Sequence, residues 1–445
     1  MMATYTALWL AQSFISLGFA AVFAALSLGL AWLLVWFRLR SLGRRADAGW
    51  LAAYRFWVRI FALALVLASA GGVVVLIQLP ALWPGLPQRI SALSSPLLAL
   101  ALASVLICKT CFLGPMLFAQ RRLHPAIHTF TVLMVAVGVT LALTCLLVLG
   151  TWMQTPAGTA LQDGQIVVRD WGQVLRNPAM PWYTGLYVSS SLLGAACVVL
   201  AVTARQGLTR AADSGERLAF RSALVVALVS AVTLAVLLPG SGRMTALHQP
   251  AAAAAGAAYW HSGEPADAVL FAWPDATQKR NRAALAWPDA GRYWLGVDAQ
   301  GHPRGLDQFS GMHPPVAVVF LSMRGAWLVG LLTLLTLVYV GLRRWWSAPD
   351  GLSRWERTWL MVVGWSGAWL LPCGMATLLL GAYPFAVQGA ITLNEIMADA
   401  SPVQMIVVLA CTSAVYGLLL AGFVAMIRHA ARYGVIPVAR HRGRA

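Results

Sequence analysis

Lysine is almost absent from this sequence: of 445 residues, only Lys109 and Lys279 are lysines. Charge of any kind is scarce, at 11% of residues, where a soluble domain carries about 25%. Acids are scarcest, with 15 Asp and Glu against 32 Lys and Arg and a net charge of +17. These shortages exclude an ordinary water-soluble domain, because 60% of the residues are hydrophobic and the mean hydropathy is +0.72. So much apolar surface calls for lipid as solvent. A disulfide framework is also excluded: Cys108, Cys111, Cys145, Cys197, Cys373 and Cys411 all fall inside apolar runs, where a free thiol acts as a small hydrophobe. The basic excess does not point to nucleic acid. It comes in short Arg clusters between apolar runs, as membrane topology requires.

What is present is a set of nine apolar runs, each long enough to cross ~30 Å of hydrocarbon as a helix. They lie at about 8–37, 56–80, 92–118, 128–152, 183–204, 218–239, 315–342, 358–383 and 403–428. The first run is too long for a signal-peptide core and no basic stretch precedes it, so it reads as a retained span. The sequence therefore predicts an all-α, polytopic membrane protein with nine transmembrane helices, since an unpaired backbone is not tolerated in lipid. Alternate connectors hold Arg38, Arg40, Arg44, Arg45 and Arg55; Arg121 and Arg122; Arg205, Arg210, Arg217 and Arg221; and Arg343, Arg344, Arg354 and Arg357. With the basic tail, these predict an N-terminus outside and a C-terminus inside a bacterial plasma membrane. The organisation is helices one to six at 1–239, an external loop at 240–314, and helices seven to nine with the tail at 315–445. The loop contains an echo, Ala-Trp-Pro-Asp-Ala at 272–276 and again at 286–290, and an alanine run at 251–255 with helical potential.

Several strings carry a family resemblance. Gly150-Thr151-Trp152-Met153-Gln154-Thr155-Pro156-Ala157-Gly158 ends the fourth run. His248-Gln249-Pro250, Trp260 and Leu270-Phe271-Ala272-Trp273-Pro274-Asp275 follow in the loop, and Ser27-Leu28-Gly29 sits in the first run. In order and spacing these resemble subunit I of cytochrome bd quinol oxidases. The resemblance implies nine helices, haem b and haem d cofactors, quinol oxidation at the outer face and reduction of oxygen to water.

The residues such a family uses do not carry over. Its first-helix haem-ligand histidine falls on Ala20, its third-helix glutamates on Leu100 and Cys108, and its fifth-helix histidine near Gly185. Its quinol-site lysine and glutamate fall on Ala252 and Ala257. The axial methionine of the seventh helix matches Met323, its neighbouring arginine falls on Leu321, and Glu395 matches a carboxylate near the ninth helix. A residue census points the same way without any alignment. The eight histidines lie in connectors, at run ends or in the tail, and the fifteen acids lie outside the nine runs. A haem in a helical bundle needs an axial donor at depth, and buried proton paths use intramembrane carboxylates or histidines.

The remaining candidates each have a structural reading beside the functional one. Met323 is a candidate haem ligand or a packing thioether. Gln154 and His248 are candidate quinol contacts, or a helix-end cap and a solvated loop residue. Trp152 reads as an anchor at the outer membrane boundary. Lys109 is the charge read as lying well inside a run, either snorkelling toward the cytoplasmic end or meeting a partner subunit or acidic lipid. No catalytic residue and no metal site is assigned. The expectation is a non-catalytic subunit I paralogue paired in the membrane with a haem-carrying subunit I. Alternatives are a redox-active subunit with reduced or altered haem content, and a transporter or lipid-binding protein that reuses the fold.

Overall fold

A computed structural model of the chain describes residues 2–43, 47–309, 311–344, 349–398 and 401–433. Among the described residues nine helical segments are long and apolar enough to cross a membrane. They comprise α1 (Met2–Arg40), α2 (Gly49–Leu82), α3 (Gly85–Ile107) continuing through a π-helical turn Cys108–Leu113 into α4 (Gly114–Phe118), and α5 (Pro125–Gln154). A short hairpin, β1 (Thr159–Gln162) with β2 (Gln165–Val168), and α6 (Trp171–Leu175) lead to α7 (Met180–Gln206) and α8 (Ser214–His248). The long connector holds α9 (Pro250–Ala257) and an antiparallel hairpin of β3 (Ala268–Asp275) and β4 (Arg280–Trp287). Then come α10 (Val316–Arg344), α11 (Arg354–Val363), α12 (Ser366–Gly381), a small β5 (Phe385–Val387) and β6 (Ile391–Thr392) pair, and α13 (Pro402–Tyr433). Arg44, Arg45 and the tail arginines beyond residue 433 lie outside the described residues.

The helices overrun the apolar runs, because hydropathy marks the lipid-facing stretch while capping sets the ends. Asp213 and Glu216 close a capping box at the start of α8, and Ser353 and Glu356 do so for α11. The sixth run, expected to stop at 239, continues through Pro239 to His248. A proline is tolerated there because neighbouring helices pack the freed backbone, and the ring of Trp182 lies against Gly240. Within the spans, hydroxyls return to the carbonyl one turn back, as Ser27 to Phe23, Thr140 to Ala136, Ser191 to Tyr187 and Thr203 to Val199. This satisfies polar side chains without water.

The main core lies where α1, α2, α7 and α8 meet, around Phe23, Leu34, Phe37, Trp57, Phe61, Leu200 and Phe220. Small residues let these helices approach. A Cβ on Gly29 would collide with the Ser191 carbonyl and Ala195, and Gly194 meets Gly367 back to back. Hydrogen bonds gather the connectors into two layers. On one side Arg38 donates to the Pro125 carbonyl, Arg55 to Gln120, and Arg217 pairs with Asp350. On the other, Gln388 N donates to the Met153 carbonyl, Ala398 N to the Leu82 carbonyl, and Arg89 pairs with Glu395. The first layer is the Arg-rich side and the second the loop side.

Candidate functional site

The loop side holds the sequence-predicted candidates Gln154, His248, Trp152 and Met323, while Lys109 lies toward the Arg-rich side. Gln154, the last residue of α5, is buried. Its carbonyl and side-chain oxygens both accept from Nε2 of buried Gln249, at 2.9 and 2.6 Å. The helix end is thus joined to the start of α9 by a satisfied amide pair. His248 occupies the last turn of α8 and is exposed, so its neighbour Gln249 is the residue that reaches Gln154. Trp152 corrects the boundary-anchor expectation. It is fully buried against a core that includes Leu93, Ile166, Val174 and Val387, because the β1–β2 hairpin and α6 cover the end of α5.

Met323 lies on α10 beneath α9. A Cβ on Gly256 would stand 3.2 Å from its terminal methyl and 3.7 Å from its sulfur. The thioether is in van der Waals contact with the loop helix. The alanine run does form that helix, with Ala254 and Ala255 wholly buried.

Beside Met323 stands a cation that the charge reading passed over. Arg324 lies inside the α10 span, so Lys109 is not the one charge within a span. Its Nε and one terminal nitrogen donate to the Val269 carbonyl at 2.9 and 2.6 Å. Its guanidinium lies 4.3 and 4.4 Å from the Phe320 and Trp327 ring centroids, favourable cation–π distances. The apolar residues on either side of it, typical of a span, hid it. The census of histidines and acids did not include arginine.

Three of the positions on which family residues fall have a close neighbour on another helix, while Leu100 is exposed. Ala20 lies against α2 so closely that a Cβ on Gly71 would stand 3.1 Å from its Cα. A Cβ on Gly185 would meet a Leu237 methyl at 2.8 Å, and Cys108 Sγ fills the space above Gly138. Among the described residues one imidazole is buried after all: His128, in the first turn of α5, is 0% exposed. Its Nε2 donates to the Met116 carbonyl at 3.2 Å, and its ring meets Tyr54 edge-on. It sits at the Arg-rich end of the span, held by packing. Among the described residues no three His, Cys, Asp or Glu side chains gather as metal ligands would.

Lys109 falls on the π-helical turn and is half-buried, without a hydrogen bond or ion pair among the described residues. Such a turn shifts helix register and often marks a functional position. The aqueous loops carry the settled carboxylates. Hydroxyl donation by Thr392, then Arg89, holds Glu395 down to about 2. Thr277 and the Gln278 amide hold Asp275 likewise at about 2.

Comparison with known proteins agrees with this architecture. The sequence model of the cytochrome bd terminal oxidase subunit I family matches residues 10–435. The chain is 22% identical over 344 residues to cytochrome bd ubiquinol oxidase subunit 1 of Bacillus subtilis (strain 168), covering 73% of this chain and 72% of that protein. It is 24% identical over 238 residues to cytochrome bd-II ubiquinol oxidase subunit 1 of Escherichia coli (strain K12), covering 53% of this chain and 46% of that one. The bd oxidase structure from Geobacillus thermodenitrificans superposes with a TM-score of 0.84 at 19% identity, over 95% of this chain and 97% of that chain. The family match along almost the whole length, on a nine-span bundle of the same fold, makes this chain a member of the cytochrome bd terminal oxidase subunit I family.

Proposed function

We propose that this chain is a non-haem-ligating structural subunit of a cytochrome bd-type quinol:oxygen oxidoreductase complex, paired in the plasma membrane with a haem-carrying subunit I paralogue. The carrying observation is the closure of the vacated ligand positions: Ala20 against Gly71, Gly185 against Leu237 and Cys108 against Gly138. A haem needs an axial donor and a slot for a planar macrocycle. At these positions stand an alanine and a glycine, which have no donor atom, and a cysteine whose thiol is packed against Gly138. The residues present do not fit the haem b and haem d that the family implies, and no redox step is assigned to them. The Arg-rich side is placed in the cytoplasm, with both termini following as the arginine distribution directs.

In this role the chain supplies a membrane face to its partner and closes the complex. Pairing of related subunits about a pseudo-twofold axis is a common solution. Gln154 and Gln249 bond to each other, which favours a structural over a quinol-contacting role for Gln154. The deciding experiment is a reduced-minus-oxidised visible spectrum and a haem assay on the chain expressed alone and purified in detergent. The expected result is a folded, colourless protein. Stoichiometric haem with α-band features would overturn the reading and make Met323 the first residue to substitute.

A further inference from the structure

The β3–β4 hairpin has two unlike faces. Ala272 is fully buried, with Val269 and Pro274 also inward, against a core of Ala254, Trp260 and Phe320. Phe271 and Trp273, which flank Ala272, are 54% and 61% exposed, and Leu285 and Trp287 on β4 are 63% and 66% exposed. Phe271 stands opposite Leu285 in the ladder. Four large apolar side chains are therefore exposed within one short hairpin whose ladder bulges on either side of Phe271, a concentration that single scattered surface residues do not make.

The height of this face in the bundle follows from Arg324. Arg343 ends the α10 span on the Arg-rich side. A helix rising from there to Arg324 climbs about 28 Å, close to the ~30 Å hydrocarbon thickness. Arg324 and the Val269 carbonyl it binds thus sit at the loop-side boundary of the hydrocarbon. Trp287 pairs with Ala268, next to that carbonyl. Phe271 follows Val269 by about 7 Å of strand. That height is the headgroup level, and Leu328 and Leu331 are exposed on α10 one and two turns further into the span. Charge agrees: between residues 268 and 294, Lys279, Arg280, Arg282 and Arg292 outnumber Asp275 and Asp289. With Arg282 paired to Asp275, Lys279, Arg280 and Arg292 stand beside the aromatic side chains, where they suit the phosphates of lipid headgroups.

We propose that this hairpin is an interfacial anchor, which seats Phe271, Trp273, Leu285 and Trp287 in the lipid leaflet on the loop side. The Ala-Trp-Pro-Asp-Ala echo then has a physical meaning: each copy places one of the two anchoring tryptophans, Trp273 and Trp287. The anchoring is independent of whether the chain carries haem.

The test is spin-label accessibility. The full chain, with any subunits that co-purify, is reconstituted in nanodiscs containing phosphatidylglycerol. Exposed Cys111 and Cys411 are first replaced by serine. Labels are placed singly through Phe271→Cys, Trp273→Cys, Leu285→Cys and Trp287→Cys, with Gln300→Cys as an exposed loop control. The expected result is a higher ratio of oxygen to nickel-chelate collisions at all four positions than at 300. A nickel-chelate accessibility equal to that at 300 would place the face in water and overturn the proposal. Shielding from both reagents would assign the face to a protein partner and overturn it equally. Each variant leaves three anchoring side chains in place, so loss of one variant to misfolding leaves the others to decide.

Discussion

Nε2 of Gln249 donates to both the backbone and the side-chain oxygen of Gln154, tying the last residue of α5 to the residue that precedes α9. Both residues are buried, so neither oxygen has water as a substitute. Gln249→Ala is expected to lower stability by about 1–3 kcal/mol, the cost of leaving a buried polar group unpaired. A thermal-unfolding midpoint in detergent checks this. An unchanged midpoint would show that the pair contributes nothing to holding the loop.

Arg324 pins β3 by two charge-assisted hydrogen bonds to one carbonyl. Arg324→Met keeps an apolar stem and removes the donors. Hydrogen bonds of this type contribute about 1.5–3 kcal/mol. The expected outcome is therefore faster amide exchange across residues 268–287 by roughly 10- to 150-fold, with exchange in α7 and α8 unchanged. Exchange that stays slow in the hairpin would mean that the core around Ala272 suffices to dock it.

The nine spans were legible in the sequence because a lipid-facing helix announces itself by uninterrupted hydropathy. Subtler features were not. The extension of α8 to His248 depends on how Trp182 packs on Gly240, a contact between distant residues. Trp152 reads as a boundary tryptophan from its place at a run end, and only the fold shows β1, β2 and α6 covering it. Gln249 and Arg324 were visible as letters. Their roles depend on partners 95 and 55 residues away, which no local pattern encodes. The alanine run was legible as helix, and its burial under the loop gave it something to hold it.

Glu395 supports the connector before α13 through Thr392 and Arg89. Its carboxyl is held down to about 2 in the folded chain, below the roughly 4.3 of a free glutamate. A depressed carboxyl contributes stability that is fully present above the unfolded value and lost as pH falls through the folded one. Midpoints of the native protein should therefore exceed those of Glu395→Gln at pH 6. The two should converge as the pH falls from about 4 toward 2. Parallel curves throughout would remove the ion pair from the account.

Gly138 and Cys108 are coupled by contact. Gly138→Ala alone is expected to cost about 1–3 kcal/mol through overpacking. Adding Cys108→Ala should recover much of that loss, a non-additivity read in a double-mutant cycle. Strict additivity would show that the two helices can part without strain.

Lys109 lies one residue beyond Cys108, on the π-helical turn. Under the proposed pairing, Lys109→Met leaves insertion and yield intact and lowers the amount of oxidase subunit recovered with the tagged chain. Normal recovery would leave Lys109 as a snorkelling residue with no part in assembly.

The close helix contacts also act as a ratchet on what this scaffold can become. At position 20 the room for a bulky donor is narrowed by Gly71's helix and at 185 by Leu237, while at 108 the thiol already fills the space that Gly138 leaves. A larger side chain at these places first has to displace a neighbouring group, the Leu237 methyl at 185 or the α2 backbone at 20. Regaining a donor is eased by a second, compensating change on the facing helix, and the first change alone disrupts packing. The shortest path forward for this chain is refinement of its surfaces, with its interior closed to a return.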